Sequence, residues 1–85
     1  LRPCVLVSAA PINRARHTVV VVPLSTSAKP RPPLNVSVKC LDKEVVAICD
    51  QIRTVDKTRL KKSAGSLSEY DIVKIDNGLK LVLCI

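Results

Sequence analysis

Thr18-Val19-Val20-Val21-Val22, followed by Pro23, decides the fold class of this chain. Successive β-branched side chains restrict the side-chain torsion and suit a pleated sheet better than a helix. The run therefore predicts a strand, which Pro23 ends or confines to a sheet edge because proline has no amide hydrogen to give to a ladder. On its N-terminal side, Pro3-Cys4-Val5-Leu6-Val7 is a short apolar run that suits a strand buried on both faces. Ala9 to Arg16 interrupts the apolar pattern, with Pro11 and Asn13 as turn residues and Asn13 expected to cap a short turn. On the C-terminal side, Ser25 to Pro33 (STSAKPRPP) reads as a loop whose prolines force extended backbone. Leu34-Asn35-Val36-Ser37-Val38-Lys39-Cys40 alternates apolar and polar residues, the pattern of a half-exposed strand. Leu41-Asp42-Lys43 is turn-like, and Val45 to Cys49 predicts its hairpin partner. Ile52 to Val55 predicts a further strand, and Asp56 to Lys62 a polar stretch.

The period changes near the C-terminus. Ser68-Glu69-Tyr70-Asp71 has the form of a capping box, in which the serine hydroxyl accepts from a free amide while the acid reaches back. Ile72, Ile75, Leu79 and Val82 then fall three, four and three residues apart, one stripe of a helix. Asn77-Gly78 would also suit a hairpin turn. The stripe continues on both sides of that pair, which decides for the helix. The expected architecture is mainly β: four or five short strands in a curled sheet, closed by a C-terminal helix.

At 85 residues the chain has room for a single domain, spanning residues 1–85. The apolar content rests on thirteen Val, ten Leu and six Ile, against one Tyr and no Phe, Trp or Met. Lacking Met, the sequence reads as a piece of a longer product. The net charge is +7, and residues 1–40 hold six basic side chains and no acidic one. Such a one-signed surface concentrates anions, which fits a polyphosphate partner; a basic surface that keeps the chain soluble fits equally. One aromatic residue is too few for base stacking to be the main binding mode. Cys4, Cys40, Cys49 and Cys84 form no C-x-x-C pair, and His17 is the sole histidine, so neither zinc nor another metal is expected. Without a signal peptide, a disulfide framework or a membrane-length apolar run, a cytoplasmic setting is the default.

Much enzyme chemistry is excluded by arithmetic. One histidine and no G-x-S-x-G elbow give no catalytic triad, and two glycines make no phosphate-binding loop. What remains is a basic and hydroxyl-bearing set at predicted strand ends: Arg2, Ser25, Thr26 and Asp50. In a small barrel such positions can meet at one rim.

Several of these residues also lie in familiar surroundings. Arg2-Pro3-Cys4-Val5-Leu6-Val7 resembles the "RPxLV" strand of the MazF/PemK/Kid toxins, and Asn13-Arg14 falls where that family often has Asn-Arg. Val21-Val22-Pro23-Leu24-Ser25-Thr26-Ser27 resembles its "VxPLTS" strand and turn. Cys49-Asp50-Gln51-Ile52-Arg53-Thr54-Val55-Asp56 is similar to its "DQIRTID" segment, and Leu67 to Ile85 to its closing helix. The resemblance implies a small SH3-like curled β-barrel, the CcdB/MazF-like toxin fold, forming a homodimer. It implies a toxin–antitoxin endoribonuclease that cuts single-stranded RNA at short sequences with no metal or other cofactor, through attack of the ribose 2′-oxygen. A cognate antitoxin is the implied protein partner, and no membrane is involved.

By this likeness Arg2 is the catalytic arginine, a forked donor that stays charged and stabilises the extra negative charge of the transition state. Ser25 stands at the family's catalytic threonine, with Thr26 beside it. Asp50 matches an aspartate that in at least one family branch contributes to base recognition or acid–base chemistry, although it can equally pair with Arg53, and Gln51 is placed to read a base edge. Lys29 and Arg31, on the proline-rich loop, are placed for phosphate contacts. Ile48 stands where one family branch carries an arginine, so that branch's mechanism does not carry over. The family also begins with a strand and mobile loop ahead of the Arg-Pro block, so an unpaired sheet edge is expected here. Two further readings come with the fold: a CcdB-like gyrase poison that acts by protein binding, and an inactive antitoxin-binding remnant. Arg2 and Ser25 favour the nuclease.

Overall fold

The computed structural model describes residues 3–60, 63 and 65–85. The elements in chain order are β1 (Cys4–Leu6), α1 (Ala10–Ala15), β2 (Thr18–Ser25), β3 (Asn35–Cys40), β4 (Lys43–Ile48), β5 (Arg53–Asp56) and α2 (Glu69–Leu83). One-turn 3-10 segments, Cys49–Gln51 and Lys57–Arg59, flank β5. The valine run lies in β2, which organises everything else. Its Val21 is opposite both Leu6 of β1 and Arg53 of β5, so those strands lie on its two edges. β4 then joins the β5 edge further along, with Leu24 opposite Ala47 and Ser25 opposite Val46. A β3–β4 hairpin completes the curled sheet, and all pairings are antiparallel.

Pro23 does not end β2; the strand runs through it to Ser25. The reason lies in the ladder. Leu24 N donates to Pro3 O on the β1 edge at 3.0 Å, so the alternation of a strand turns the nitrogen of Pro23 to the other edge. There the partner chain has looped away: Ala47 faces Leu24 and Arg53 faces Val21, and the chain between them bulges out as the Cys49–Gln51 turn. No ladder donor is needed where proline has none.

β1 is an edge strand, not one buried on both faces, because only β2 pairs with it; Cys4 and Val5 are half-buried and Leu6 is exposed. Its outer edge has no strand partner among the described residues. The interruption after it contains a short helix, α1, with Pro11 in its first turn, where a missing amide hydrogen costs little. Asn13 holds that turn: its Nδ2 donates to Ser8 O at 3.0 Å and its Oδ1 accepts from the Ser8 hydroxyl. Ser8 Oγ in turn accepts from Val20 N at 3.0 Å, tying the turn to β2. Between β3 and β4, Leu41 and Asp42 both have positive φ, 52° and 63°, the backbone of a two-residue hairpin turn made without glycine.

The core gathers Val22, Leu24, Val36, Val38, Val45, Ala47 and Cys49 beneath Ile75 of α2. Half of the capping box forms. Ser68 Oγ accepts from Asp71 N at 3.2 Å, but Asp71 does not reach back. It is buried and accepts instead from Lys39 N at 3.0 Å. One turn on, Lys74 Nζ donates to Ser37 O at 2.8 Å and stands 3.7 Å from Asp71. Two helix side chains thus satisfy the outer edge of β3, which otherwise would offer unpaired groups to another chain. The buried stripe shifts accordingly. Asp71, Ile75 and Gly78 are buried and Leu79 and Val82 half-buried, while Ile72 remains exposed. Asn77-Gly78 is helical, and Gly78 is required by packing: a Cβ there would lie 2.7 Å from Cys49 Sγ and 2.8 Å from Pro33 O.

Candidate active site

β2 ends at Ser25, and the chain turns at once. Ser25 Oγ accepts from Ser27 N at 3.2 Å and Ala28 N at 3.0 Å, closing a tight hydroxyl-centred turn. Ser27 Oγ lies 3.3 Å away. With both acceptor positions of the Ser25 oxygen taken by amides, its own hydrogen is what it has to offer. The arrangement polarises the hydroxyl as a donor and disfavours it as a base. Ser25 is half-buried, and Thr26 and Ser27 are exposed. Nothing in the sequence singles out Ser27 beyond the Ser-x-Ser spacing that such turns favour.

Beyond the turn, Lys29 and Arg31 are exposed on the proline-rich loop. Arg31 is fixed by its backbone, with Arg31 N donating to Asn35 O at 2.8 Å and Asn35 N to Arg31 O at 3.0 Å. The loop is therefore pinned at both ends, and its two cations stand on the same segment as Ser25 and Thr26.

Asp50 and Gln51 are exposed on the Cys49–Gln51 turn, while Cys49 points into the core. This turn is joined to the end of the loop: Cys49 N donates to Leu34 O at 3.1 Å, and Cys49 and Pro33 meet the same Gly78. Loop and turn form one continuous rim. Ser25 and Asp50 are not in contact, however. The register sets the turn about three residues back along β2, roughly 10 Å at ordinary strand rise. No hydrogen bond or ion pair links Asp50 or Gln51 to Ser25 or Thr26 among the described residues, and none links Asp50 to Arg53. A substrate longer than one nucleotide would have to bridge the two.

Arg2 lies outside the described residues. The next residue, Pro3, accepts from Leu24 N, the residue before Ser25. Among the described residues no group of three His, Cys, Asp or Glu side chains could hold a metal ion, and no helix is long and apolar enough to cross a membrane. The Cys49 thiol is pushed above its ordinary value of 9.0, first by burial and then by the Asp50 carboxylate beside it. It is a packed hydrophobe beneath the rim and not a nucleophile on it.

Comparison with known proteins agrees along nearly the whole chain. Residues 1–83 match the model of a family described as PemK-like, MazF-like toxin of type II toxin-antitoxin system. An endoribonuclease MazF of Staphylococcus epidermidis is 34% identical over 88 residues, covering 98% of this chain and 73% of the relative. Among solved structures, an endoribonuclease in complex with its cognate antitoxin from a mycobacterial species superimposes with a TM-score of 0.88 at 27% identity, covering 99% of this chain and 82% of that one. A MazE–MazF structure from Deinococcus radiodurans gives a TM-score of 0.85 at 20% identity over 99% of this chain and 83% of that one, which supports the fold.

Proposed function

The chain belongs to the PemK-like, MazF-like toxins of type II toxin–antitoxin systems, a family of toxin endoribonucleases, and from that premise we propose that it cuts single-stranded RNA at short sequences without a metal ion. The ribose 2′-oxygen attacks the adjacent phosphorus and loses its proton. The bond from phosphorus to the 5′-oxygen breaks, and that oxygen gains a proton. The products carry a 2′,3′-cyclic phosphate and a 5′-hydroxyl. The nucleophile belongs to the substrate, so the protein's task is to hold the phosphate and stabilise the added charge.

The observation that carries this reading is the Ser25 turn. Two amides fill the acceptor positions of Ser25 Oγ, so its hydrogen, which Ser27 Oγ at 3.3 Å can accept, is the group it can turn to a phosphate oxygen. Arg2 supplies the fixed positive charge, as a bidentate donor to the same phosphate. Thr26 is a second hydroxyl on that turn. Lys29 and Arg31 hold the neighbouring backbone phosphates, and Asp50 and Gln51, further along the rim, accept from and donate to base edges. A second copy of the chain and an antitoxin are the protein partners. The antitoxin's contribution would be an acidic segment that orders on binding, as suits a chain of net charge +7.

The test is incubation of the purified native-length protein with mixed-sequence RNA in EDTA, followed by mapping of the new ends. Cuts at one short recurring sequence, bearing cyclic phosphate, are expected, and Arg2→Ala should slow them roughly 100- to 1,000-fold, the usual loss of a charge-stabilising donor. Intact RNA from a folded protein would sink the nuclease reading and leave gyrase binding or an inactive antitoxin-binding remnant.

A further inference from the structure

A basic corner of the described molecule stands away from this rim, at the other end of β2. Arg14 is in the last turn of α1, Arg16 caps it, and His17 leads into β2. The antiparallel register sets Thr18 opposite Asp56, and Lys57 N donates to His17 O at 2.9 Å, so the Lys57–Arg59 turn is locked against the same corner. Sequence segments some forty residues apart thereby carry four permanent cations (Arg14, Arg16, Lys57 and Arg59) on backbone that meets beside one carboxylate. That carboxylate, Asp56, already accepts from Thr58 N and Thr58 Oγ1 at 2.9 Å each. These bonds, with His17 and Arg59 nearby, hold it below its ordinary carboxylate value. None of the four cations has an ion-pair partner among the described residues. Arg14, Arg16 and Arg59 are exposed.

We propose that this corner binds the phosphate backbone of the RNA flanking the cut, as a second contact remote from Ser25; the inference rests on the RNA reading given above. The chemistry is that of a backbone track. Guanidinium groups match phosphate oxygens, and the corner holds no Phe, Tyr or Trp on which a base could stack. Ile12 is an exposed apolar side chain on the same short helix as Arg14, a thin anchor for a protein interface. The two ends of the eight-residue β2 stand roughly 20 Å apart at ordinary strand rise, so only an RNA several nucleotides longer than the cut site reaches both. The corner therefore adds affinity for long substrates and no sequence preference.

The experiment measures binding of single-stranded, mixed-sequence RNAs of roughly 6 and roughly 20 nucleotides, bracketing the span of a typical single-strand site, across a salt series. Ser25→Ala, in which cleavage is slowed, serves as the background, and the length of the RNA is checked after each measurement. Arg14→Gln/Arg16→Gln/Arg59→Gln should flatten the salt dependence for the long RNA by about 0.7 in log–log slope per lost contact, or about 2 in total. Its affinity should fall tenfold or more, the short RNA should be unaffected, and the triple Arg→Lys variant should retain the slope. Equal effects on both lengths, or no effect on either, would overturn the proposal. So would a polyglutamate peptide whose binding depends on these arginines when that of long RNA does not, which would mark an acidic-protein surface. Cleavage by the unsubstituted chain is scored separately. Cutting without dependence on the corner removes only the second contact; corner-dependent binding without cutting removes only the nuclease reading.

Discussion

The two halves of the rim are built in opposite ways. Around Cys49, the turn, the end of the proline-rich loop and α2 close on each other so tightly that Gly78 has no room for a single added carbon. Around Ser25, the backbone is held by one hydroxyl and two amides, and Thr26, Ser27, Lys29 and Arg31 face solvent. The first region fixes where the rim is; the second presents the groups that act on it. Stability and chemistry thus rest on different residues within one continuous surface, and substitutions should separate them.

Gly78→Ala should have the largest effect on stability. The overlap with Cys49 Sγ and the Pro33 carbonyl outweighs the better helix propensity of alanine, costing about 3 kcal/mol and lowering Tm by roughly 10–20 °C. Adding Cys49→Ala should recover part of the loss, since the two side chains share one space. A Tm within about 2 °C of the parent would mean that the seam has slack and the contrast is wrong. Ser25→Ala should do the reverse, slowing RNA cleavage about 10- to 100-fold, or about 1.4–2.7 kcal/mol, with Tm almost unchanged. Loss of the fold with Ser25→Ala would make the hydroxyl a structural brace.

Asp71→Ala tests the seam from the helix side. It leaves Lys39 N and the Lys74 ammonium without their carboxylate and should cost about 2 kcal/mol, read in urea unfolding. The freed edge of β3 should also make the variant prone to self-association at high concentration. The smallest effect is the response to alkali. The folded state raises the Cys49 thiol above its ordinary 9.0. The neutral thiol is thus the folded form, and its contribution is complete below about that pH and lost as pH rises beyond it. Unfolding at a series of alkaline pH values should show this decline, diminished in Cys49→Ala. Alkylation at neutral pH should modify exposed Cys84 first and buried Cys49 last; early labelling of Cys49 would show that the seam opens.

Much of this was legible one segment at a time. The valine run, the alternation from Leu34 to Cys40 and the serine before the last helix each follow from local periodicity and capping, and each formed. Pro23 and Asp71 were misjudged for one reason. A proline's cost depends on which edge its nitrogen faces, and an acid's partner depends on which strand packs beneath it; both are long-range facts. The candidate site divides similarly. Ser25 and the loop cations are adjacent in sequence and stay together, whereas the roughly 10 Å gap to Asp50 comes from the bulge between Ala47 and Arg53.

The sequence by itself determined the strands, the helix, the excess of positive charge and, through the likeness of its motifs, the toxin family. Side-chain branching, periodicity and net charge act locally or additively and need no folded context. Only the tertiary structure decided why Gly78 must be glycine, that helix side chains seal the edge of β3, and that the Arg14–Arg16 segment lies beside the Lys57–Arg59 turn. Each of these depends on which groups the register brings within a few ångströms, and packing and hydrogen bonding are decided at that range.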